Sequence, residues 1–394
     1  MTMSGKKVVV LGYGVSGRSA ARFLLAKGAD VVVVDDHADK EGVLSSYDDP
    51  FDLLVPSPGI SPHHPLYQKA IQTGIPIMGE AELALQQINQ TVLGVTGTNG
   101  KTTVTELTAH VLNQCGVPAV ALGNNGRPLT EWVLEGDDRV VVAELSSYQL
   151  ETMRSPTLDR AVILNISPDH LDRYHSLEAY AEAKFCIAKA CKPPVKLLTH
   201  PKLLCEGCTS YISEALGVPE SFEDENRYAA YSLVQPFGIT PTQFIEAARS
   251  FSKPPHRMEF IDEVNGVRYY NDSKGTNIDA VIKAVEALPG KIYLIAGGKD
   301  KGEKYTPWIS TFSGKIGSIG LIGEAAEKIE RDLAGSLPIK HCATLDQAFA
   351  HCKQLAQPGD VVLLSPGCAS FDQYRCFEER GEEFRQLVNN LSIN

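Results

Sequence analysis

The chain has 394 residues, 43% of them hydrophobic and 22% charged, with a formal net charge of −11 at pH 7. This length suits roughly two or three domains, and the composition is that of a globular chain. The negative charge argues against nucleic acid as a general partner. No apolar run approaches the roughly 20 residues of a membrane-spanning helix, and nine scattered cysteines suit a reducing compartment. We therefore expect a cytoplasmic protein with no signal peptide and no membrane insertion.

Short apolar segments alternate with helical segments from the N-terminus onward, which predicts a parallel sheet with right-handed crossovers. Residues 7–12 and 29–35 are predicted strands, and residues 19–28 are a predicted helix between them. The first strand leads into a Gly-x-Gly-x-x-Gly turn at residues 12–17, and Asp35 closes the second strand. Such a turn places helix N–H groups near a phosphate. A nicotinamide dinucleotide site and a glycine turn that only packs a helix on a sheet both fit it.

The pattern restarts near residue 91, with predicted strands at 92–95, 140–143 and 161–166 and a predicted helix at 103–114. A turn rich in glycine and threonine, with one lysine, joins the first of these strands to the helix: Thr96, Gly97, Thr98, Asn99, Gly100, Lys101, Thr102 and Thr103. Amides and a lysine in this context cradle nucleotide phosphates, and the Thr102 hydroxyl would reach Mg²⁺. Although Val95 stands where the general pattern has its first glycine, the turn predicts a phosphate loop.

Acidic residues follow two later strands of this unit. Glu144 comes after the 140–143 strand, where a carboxylate near a phosphate loop is placed to hold Mg²⁺. Asp169, His170, Asp172 and Arg173 crowd one loop beyond the 161–166 strand, and that density favours a metal or substrate role. Because ligands bind beyond the carboxyl ends of parallel strands, we expect these groups at one edge of the sheet.

A third unit follows the Pro-rich stretch 252–255, which is a candidate hinge. Its predicted strands are residues 267–270, 292–296, 318–322 and 360–364. Polar loops follow three of these strands. Each carries an aspartate and two of them carry lysine, which predicts an anion-binding face. The sequence therefore predicts an α/β protein of three domains, at residues 1–89, 90–253 and 254–394.

These motifs together resemble the muramyl ligase family of peptidoglycan synthesis. The resembling stretches, in chain order, are LGYGVSG, PSPGI, GVTGTNGKTT, GNNG, AELSSYQLE, DHLDRY, PHR, NDSKGTN, GGKDK and SPGCASFDQ. The resemblance implies an N-terminal Rossmann-like domain that binds a uridine diphosphate precursor, a central P-loop-type ATPase domain and a C-terminal Rossmann-like domain. Within the family, the chain is most similar to ligases that add D-glutamate to UDP-N-acetylmuramoyl-L-alanine.

The resemblance also implies a role for particular residues. Those expected at the UDP-linked substrate are Ser16, Asp35, Asp36 and Asn124. Those expected at ATP are Gly97, Thr98, Asn99, Gly100, Lys101, Thr102, Thr103, Asn226, Arg257 and Asp272. Those expected at the amino acid are Lys274, Thr276, Lys301, Ser370, Phe371 and Phe377. Two Mg²⁺ ions are expected, one at Thr102 and Glu144 and one at His170 and Lys184, and Lys101 is expected to be catalytic with Glu144, His170 and Lys184.

Lys184 lies on a predicted helix that begins near Ser176. A bare ammonium would be repelled by Mg²⁺, and in the resembled family the matching lysine is carbamylated, which makes it an oxygen ligand. From the residues alone, a solvated helix lysine is the alternative. The chain also departs from the family, because His37 follows Asp36 where a threonine–arginine pair is common and the 191–230 stretch is short.

Such a ligase would phosphorylate the substrate carboxylate with ATP, and the amine of D-glutamate would then displace phosphate. The third domain would close on the hinge to exclude water. The alternatives are a sister ligase for another amino acid or for folate, a nicotinamide-dependent oxidoreductase and a non-catalytic nucleotide-binding regulator. We expect a monomer, although the sequence leaves the oligomeric state open.

Overall fold

A computed structural model describes residues 2–37, 41–124, 126–195, 197–212, 216 and 222–391. Their strands form one sheet of four strands and two sheets of six, which confirms the α/β prediction. The chain groups into two compact units, Met1–Ile166 with Glu178–Phe251 and Ser167–Leu177 with Ser252–Asn394. The first unit holds two of the sheets and the second unit holds the third.

The first sheet is parallel, in the order β3-β2-β1-β4. Its strands are β1 Lys7–Leu11, β2 Asp30–Val34, β3 Val43–Leu44 and β4 Leu53–Pro56, and its helices are α1 Val15–Ala26, α2 Pro65–Thr73 and α3 Glu80–Leu85. Helix α1 begins four residues before its predicted start, inside the glycine motif. A Cβ at Gly17 would collide with the carbonyl oxygen of Gly12. Glycine at this position therefore lets the first turn of the helix pack on the loop.

The second sheet is also parallel, in the order β10-β9-β8-β5-β7-β6. Its strands are β5 Val92–Thr96, β6 Ala119–Gly123, β7 Val140–Glu144, β8 Arg160–Ile163, β9 Leu197–Thr199 and β10 Cys208–Ser210. The helices along this part of the chain are α4 Lys101–Gln114, α5 Leu129–Glu135, α6 Ser147–Leu150, α7 Leu171–Tyr174, α8 Leu177–Phe185, α9 Ile187–Ala190, α10 Phe222–Val234 and α11 Pro241–Arg249, with 3-10 turns at Pro201–Leu203 and Gln235–Phe237.

Strand β5 lies at the centre of the second sheet, between β7 and β8, and all five of its residues are buried. One face of this sheet packs on α4, α10 and α11 through residues such as Val104, Leu107 and Phe244. Apolar side chains of α3, α5 and α9, among them Leu85, Trp132 and Ile187, form a second core. Because the strands are parallel, the loops after β5, β7 and β8 meet at one edge of the sheet.

The third sheet has the order β11-β12-β16-β13-β14-β15. Its strands are β11 Glu259–Val264, β12 Val267–Asn271, β13 Ile292–Gly297, β14 Ile316–Ile322, β15 Ile339–His341 and β16 Val361–Leu364, and its helices are α12 Ile278–Ala287, α13 Pro307–Phe312, α14 Ala326–Leu333, α15 Leu345–Leu355 and α16 Phe377–Asn389. The edge strand β11 pairs antiparallel with β12 and was not predicted. Asn265 and Gly266 both have positive φ in the turn between them, as in a two-residue hairpin.

The described part of the chain has no helix with the length and apolarity needed to cross a bilayer. All nine cysteines lie within that part, and each of them is free. The predicted boundaries at 89/90 and 253/254 stay predictions. They fall in the connections between α3 and β5 and between α11 and β11.

Candidate active site

The turn between β5 and α4 is held in place by Asn165, which follows β8. The Thr98 amide donates to the Asn165 carbonyl at 2.9 Å. The Asn99 amide donates to Asn165 Oδ1 at 2.9 Å, and Asn165 Nδ2 donates back to the Asn99 carbonyl at 3.0 Å. Asn165 therefore ties the loop to the end of β8 through three hydrogen bonds. Sequence reasoning did not include Asn165 among the site residues, although it opens the motif that contains Asp169 and His170.

Two lysines converge on this loop. Lys101, the first residue of α4, donates from Nζ to the carbonyls of Gly97 at 3.0 Å and Thr98 at 2.9 Å. Lys184 on α8 donates to the same Gly97 carbonyl at 2.8 Å and is 1% exposed. Its Nζ also lies 4.5 Å from the centroid of the Tyr180 ring. The reading of Lys184 as a solvated helix lysine is therefore wrong, and the convergence of two ammonium groups favours an anion here.

Asn226 on α10 packs against the same loop. Gly100 has a φ of +87°, and a Cβ there would collide with Asn226 Oδ1. Asn226 is 6% exposed. The structure thus places the predicted nucleotide residue Asn226 beside the loop, and Gly100 is the residue type that permits this approach. Thr103 lies in the first turn of α4, next to Thr102.

Glu144, the last residue of β7, connects two of the predicted groups. It is 2% exposed. Thr102 Oγ1 donates to Glu144 Oε2 at 2.7 Å, and Asn124 Nδ2 donates to Glu144 Oε1 at 3.0 Å. Asn124 lies just beyond β6, and its amide also donates to the Glu144 carbonyl at 2.9 Å. A residue expected at ATP and one expected at the muramoyl group therefore share one carboxylate.

The glycine loop of the first sheet is organised by a carboxylate. Asp35 Oδ2 accepts from the Tyr13 amide at 2.6 Å, and Oδ1 accepts from the His37 amide at 2.9 Å. Ser16 lies in the first turn of α1. Asp36 Oδ1 lies within hydrogen-bond distance of His64 Nε2, at 3.2 Å. The predicted substrate residues 16, 35 and 36 thus lie at or beside the β1–α1 turn and the end of β2.

In the second unit, Asp169 is the centre of a buried polar cluster. Its Oδ1 accepts from Lys301 Nζ at 2.9 Å, and its Oδ2 accepts from Asn277 Nδ2 at 3.4 Å. Lys301 also donates to Thr276 Oγ1 at 3.4 Å. His170 has a positive φ of 55°, and its Nε2 lies 3.7 Å from Asp169 Oδ2. Two residues predicted at the amino acid, Thr276 and Lys301, are therefore brought together.

Asp272 follows β12 and is 7% exposed. It accepts from Ser365 Oγ at 2.7 Å and from the Met258 amide at 3.1 Å. Burial raises the pKa of Asp272 to about 6, while these two hydrogen bonds and the charge of Arg257 oppose the rise. The structure therefore places Arg257 and Asp272, both predicted at ATP, close enough to interact electrostatically.

The remaining predicted residues lie on loops of the same unit, apart from Phe377, which is the first residue of α16. Lys274 Nζ lies 3.9 Å from the centroid of the Phe377 ring, a cation–π geometry. Ser370 is 2% exposed, whereas Phe371 is 67% exposed. Single exposed apolar residues are normal on protein surfaces, so contact between Phe371 and the amino acid stays a prediction.

Arg380 on α16 is a residue that sequence reasoning missed. It is 1% exposed, and its guanidinium donates to Ser273 Oγ at 3.0 Å, the Ser273 carbonyl at 2.9 Å and the Cys368 carbonyl at 3.3 Å. Burial lowers the pKa of Arg380 to about 10, which keeps it charged at neutral pH. Arg380 thus fixes the loops that carry Lys274 and Ser370. In the sequence, Arg380 is one of several charged residues in a helix, and nothing in that pattern predicts this role.

Glu303 is a second missed residue, 5% exposed and two positions after Lys301. Burial, and then the charge of Asp169, raise the pKa of Glu303 to about 8, while Lys301 opposes the rise. Within the described ranges, no group of three or more His, Cys, Asp and Glu side chains could hold a metal ion. Of the predicted metal residues, Thr102, Glu144 and Lys184 belong to the first unit and His170 to the second.

A fixed phosphate loop at the centre of a parallel sheet, with two lysines and a threonine–glutamate pair, defines a nucleotide-binding α/β enzyme. Sequence profiles agree, since the Mur ligase middle domain matches residues 95–201 and the Mur ligase, glutamate ligase domain matches residues 256–368. The chain belongs to the Mur ligase family, whose members are ATP-dependent amide ligases. The resemblance seen in the sequence is therefore confirmed.

Individual relatives match this chain over nearly its full length. The UDP-N-acetylmuramoylalanine–D-glutamate ligase of Protochlamydia amoebophila is 42% identical, over 98% of this chain and 98% of that one. The ligase of the same name from Chlamydia felis is 39% identical, over 99% of each chain. Among solved structures, MurF ligase from Thermotoga maritima in complex with ADP has a TM-score of 0.61 at 17% identity, with 98% of this chain and 96% of that one covered. That likeness supports the fold.

Proposed function

We propose that this enzyme uses ATP to join D-glutamate to the free carboxylate of UDP-N-acetylmuramoyl-L-alanine, in peptidoglycan precursor synthesis. Full-length relatives that are 42% and 39% identical carry the name of this activity. The observation that carries the proposal is the shared carboxylate of Glu144, which accepts from Thr102 at 2.7 Å and from Asn124 at 3.0 Å. It brings the triphosphate loop next to the residue expected at the muramoyl group.

A carboxylate needs activation, because oxide is a poor leaving group. An oxygen of the substrate carboxylate attacks the γ-phosphorus, the bond to the β–γ bridging oxygen breaks, and ADP leaves with that electron pair. The nitrogen of D-glutamate then attacks the acyl carbon and loses a proton, and the C–O bond to phosphate breaks. In this scheme, the positive field of Lys101 and the loop amides stabilises the charge on the transferring phosphoryl group.

The residues of the loop edge fit a magnesium ion. Thr102 Oγ1 and Glu144 Oε2 are oxygen donors 2.7 Å apart, and Mg²⁺ prefers such oxygens. When bound, the ion would neutralise charge on the triphosphate. As an ammonium that donates to Gly97, Lys184 is no metal ligand, so the expected second site with His170 requires the carbamate. Both that modification and the second ion stay predictions.

For the amino acid, the proposal assigns Lys301, Thr276 and Ser370 to carboxylate binding. Lys274, Phe371 and Phe377 are assigned to the surroundings of the bound amino acid. Support comes from the contact of 3.4 Å between Lys301 Nζ and Thr276 Oγ1 and from the cation–π pair of Lys274 and Phe377. A cytoplasmic monomer that contacts neither nucleic acid nor membrane remains our expectation, as does ATP binding by Asn226, Arg257 and Asp272.

The test is ADP release from ATP with UDP-N-acetylmuramoyl-L-alanine and D-glutamate, with each substrate omitted in turn. We expect release to require both. A panel of other amino acids replaces D-glutamate in a second series, and L-alanine, L-lysine and L-glutamate should give no release. Release with one of these instead would identify a sister ligase and contradict the choice of D-glutamate.

A further inference from the structure

A buried hydrogen-bonded chain connects α1, α3 and α5 within the first unit. Glu80, the first residue of α3, is 4% exposed, and its Oε1 accepts from the Thr130 amide at 2.6 Å and from Thr130 Oγ1 at 2.8 Å. Ser19 Oγ and Thr130 Oγ1 lie 2.7 Å apart. Because the Thr130 hydroxyl donates its proton to Glu80, Ser19 is the donor in that second bond.

The two ends of this hydrogen-bonded chain lie next to two loops that carry predicted substrate residues. Ser19 lies on α1, one turn after Ser16 in the glycine loop. Thr130 lies in the first turn of α5, which follows the Asn124 loop. The residue that caps α5 is Pro128, whose side chain makes no capping bond. The carboxylate of Glu80 supplies the missing cap from another helix.

We propose that Glu80 is a positioning residue for the UDP-linked substrate. It acts through Thr130 and Ser19 to fix the diphosphate loop of α1 relative to the loop of Asn124. The inference rests on the proposed function, since only a ligand that reaches from uridine diphosphate to the muramoyl group uses both loops. UDP alone uses the α1 loop and does not require the alignment.

The helix also provides a matched control. Glu82, two residues later, is 0% exposed, and its Oε1 accepts from the Ser155 amide at 3.0 Å and from Gln86 Nε2 at 2.9 Å. It is an acid of the same type and burial on the same helix, but its bonds lead away from α1 and α5. Glu82→Ala should therefore destabilise the fold without changing selectivity between ligands.

The experiment measures, by calorimetry, the affinity of the full-length protein for UDP, for UDP-N-acetylmuramoyl-L-alanine and for ADP. Glu80→Ala should weaken precursor binding by about tenfold to a hundredfold, the effect of losing two buried hydrogen bonds. Binding of UDP and ADP should stay unchanged. Glu80→Gln should partly restore precursor binding, because its amide oxygen can accept the same two bonds.

If Glu80→Ala does not fold, Thr130→Val and Ser19→Ala test the same chain. Each should weaken precursor binding selectively. The double variant should bind the precursor no more weakly than the more strongly impaired of the two single variants, because both changes break the same network. Equal loss of UDP and precursor binding, no selective loss, or the same loss in Glu82→Ala would overturn the role of Glu80. A wild-type protein that does not bind the precursor would contradict the proposed substrate as well.

Discussion

The phosphate loop of the first unit and the strand-end loops of the second unit hold their lysines against different partners. Lys101 and Lys184 both donate to the main-chain carbonyl of Gly97. Lys301 donates to the carboxylate of Asp169, and its charge also acts on the buried carboxyl of Glu303. A carbonyl is neutral and does not titrate. An ionised carboxyl group, in contrast, balances the positive charge of a lysine, and its own charge changes with pH.

This difference matches the proposed ligands. A triphosphate carries several negative charges, and the ammonium of Lys101, held by neutral carbonyls, gives it a positive field. An amino acid carries charges of both signs, and the pair of Lys301 and Asp169 offers both. We therefore expect changes in the first unit to alter phosphoryl transfer and changes in the second unit to alter amino-acid affinity and the pH response.

The largest effect is expected for Lys101→Ala. It removes an ammonium that neutralises charge in the transition state, so the ligation rate should fall on the order of 10³-fold or more. Precursor binding should stay intact, because uridine diphosphate is expected at the first sheet. ADP release and calorimetry measure the two effects. The control is Lys189→Ala, which changes an exposed lysine of the same unit. If a folded Lys101→Ala variant lost both ligation and precursor binding, the domain assignment would be contradicted.

Arg380→Met tests whether one buried cation organises the second unit. The change leaves the carbonyls of Ser273 and Cys368 without their described donor, and the free energy of unfolding should fall by about 3–5 kcal/mol. The KM for D-glutamate should rise because the Lys274 and Ser370 loops lose their common support. Urea denaturation and steady-state kinetics report the two effects.

A control for Arg380→Met is Arg375→Met, whose side chain is 89% exposed beside Glu379. Exposed ion pairs contribute little, so its stability should change by less than about 0.5 kcal/mol. Similar losses in the two variants would show that Arg380 is no more important than a surface arginine.

Glu303→Gln tests the pH response of the second unit. The pKa of Glu303 is about 8 in the folded protein, above its ordinary value of 4.5. The folded state therefore binds this proton more tightly, and wild type loses stability as pH rises from about 4.5 to 8. The glutamine variant lacks that loss. It should match wild type near the lower pH and exceed its free energy of unfolding above the higher one, by on the order of 5 kcal/mol.

Urea denaturation across this pH range measures the Glu303 effect. Glu327→Gln, at an exposed position of α14, should show no such divergence from wild type. Parallel stability curves for wild type and Glu303→Gln would mean that Glu303 titrates normally, and the contrast between carbonyl-held and carboxyl-held lysines would then lose its pH component.

Sequence patterns predicted the features that depend on neighbouring residues in the chain, such as strands and the loops that follow them. Parallel strands place their carboxyl ends at one edge, so the phosphate loop and Glu144 could be expected together from their strands alone. The supports of these loops were not predictable in this way. Asn165 bonds to a residue 66 positions away, and Arg380 to one 107 positions away. Such contacts depend on how the chain folds back, and a single asparagine or arginine carries no local sign of them.

The smallest effect is expected for Asn165→Ala, which tests whether the phosphate loop owes its shape to one side chain. The change removes two hydrogen bonds to Asn99, and the free energy of unfolding should fall by about 1–2 kcal/mol. Because the loop amides then lose their fixed orientation, the KM for ATP should rise by about tenfold, while the KM for D-glutamate stays constant.

Asn113 provides the comparison for Asn165, because it bonds to the main chain of Ala109 and Ala119 in the same unit. Asn113→Ala should lose a similar amount of stability and keep its KM for ATP. Equal KM values for ATP in both variants would mean that Lys101, Gly97 and the α4 N-terminus hold the loop without Asn165. In that case the positive field at the Gly97 carbonyl, and not the preformed shape of the loop, would be the main source of nucleotide affinity.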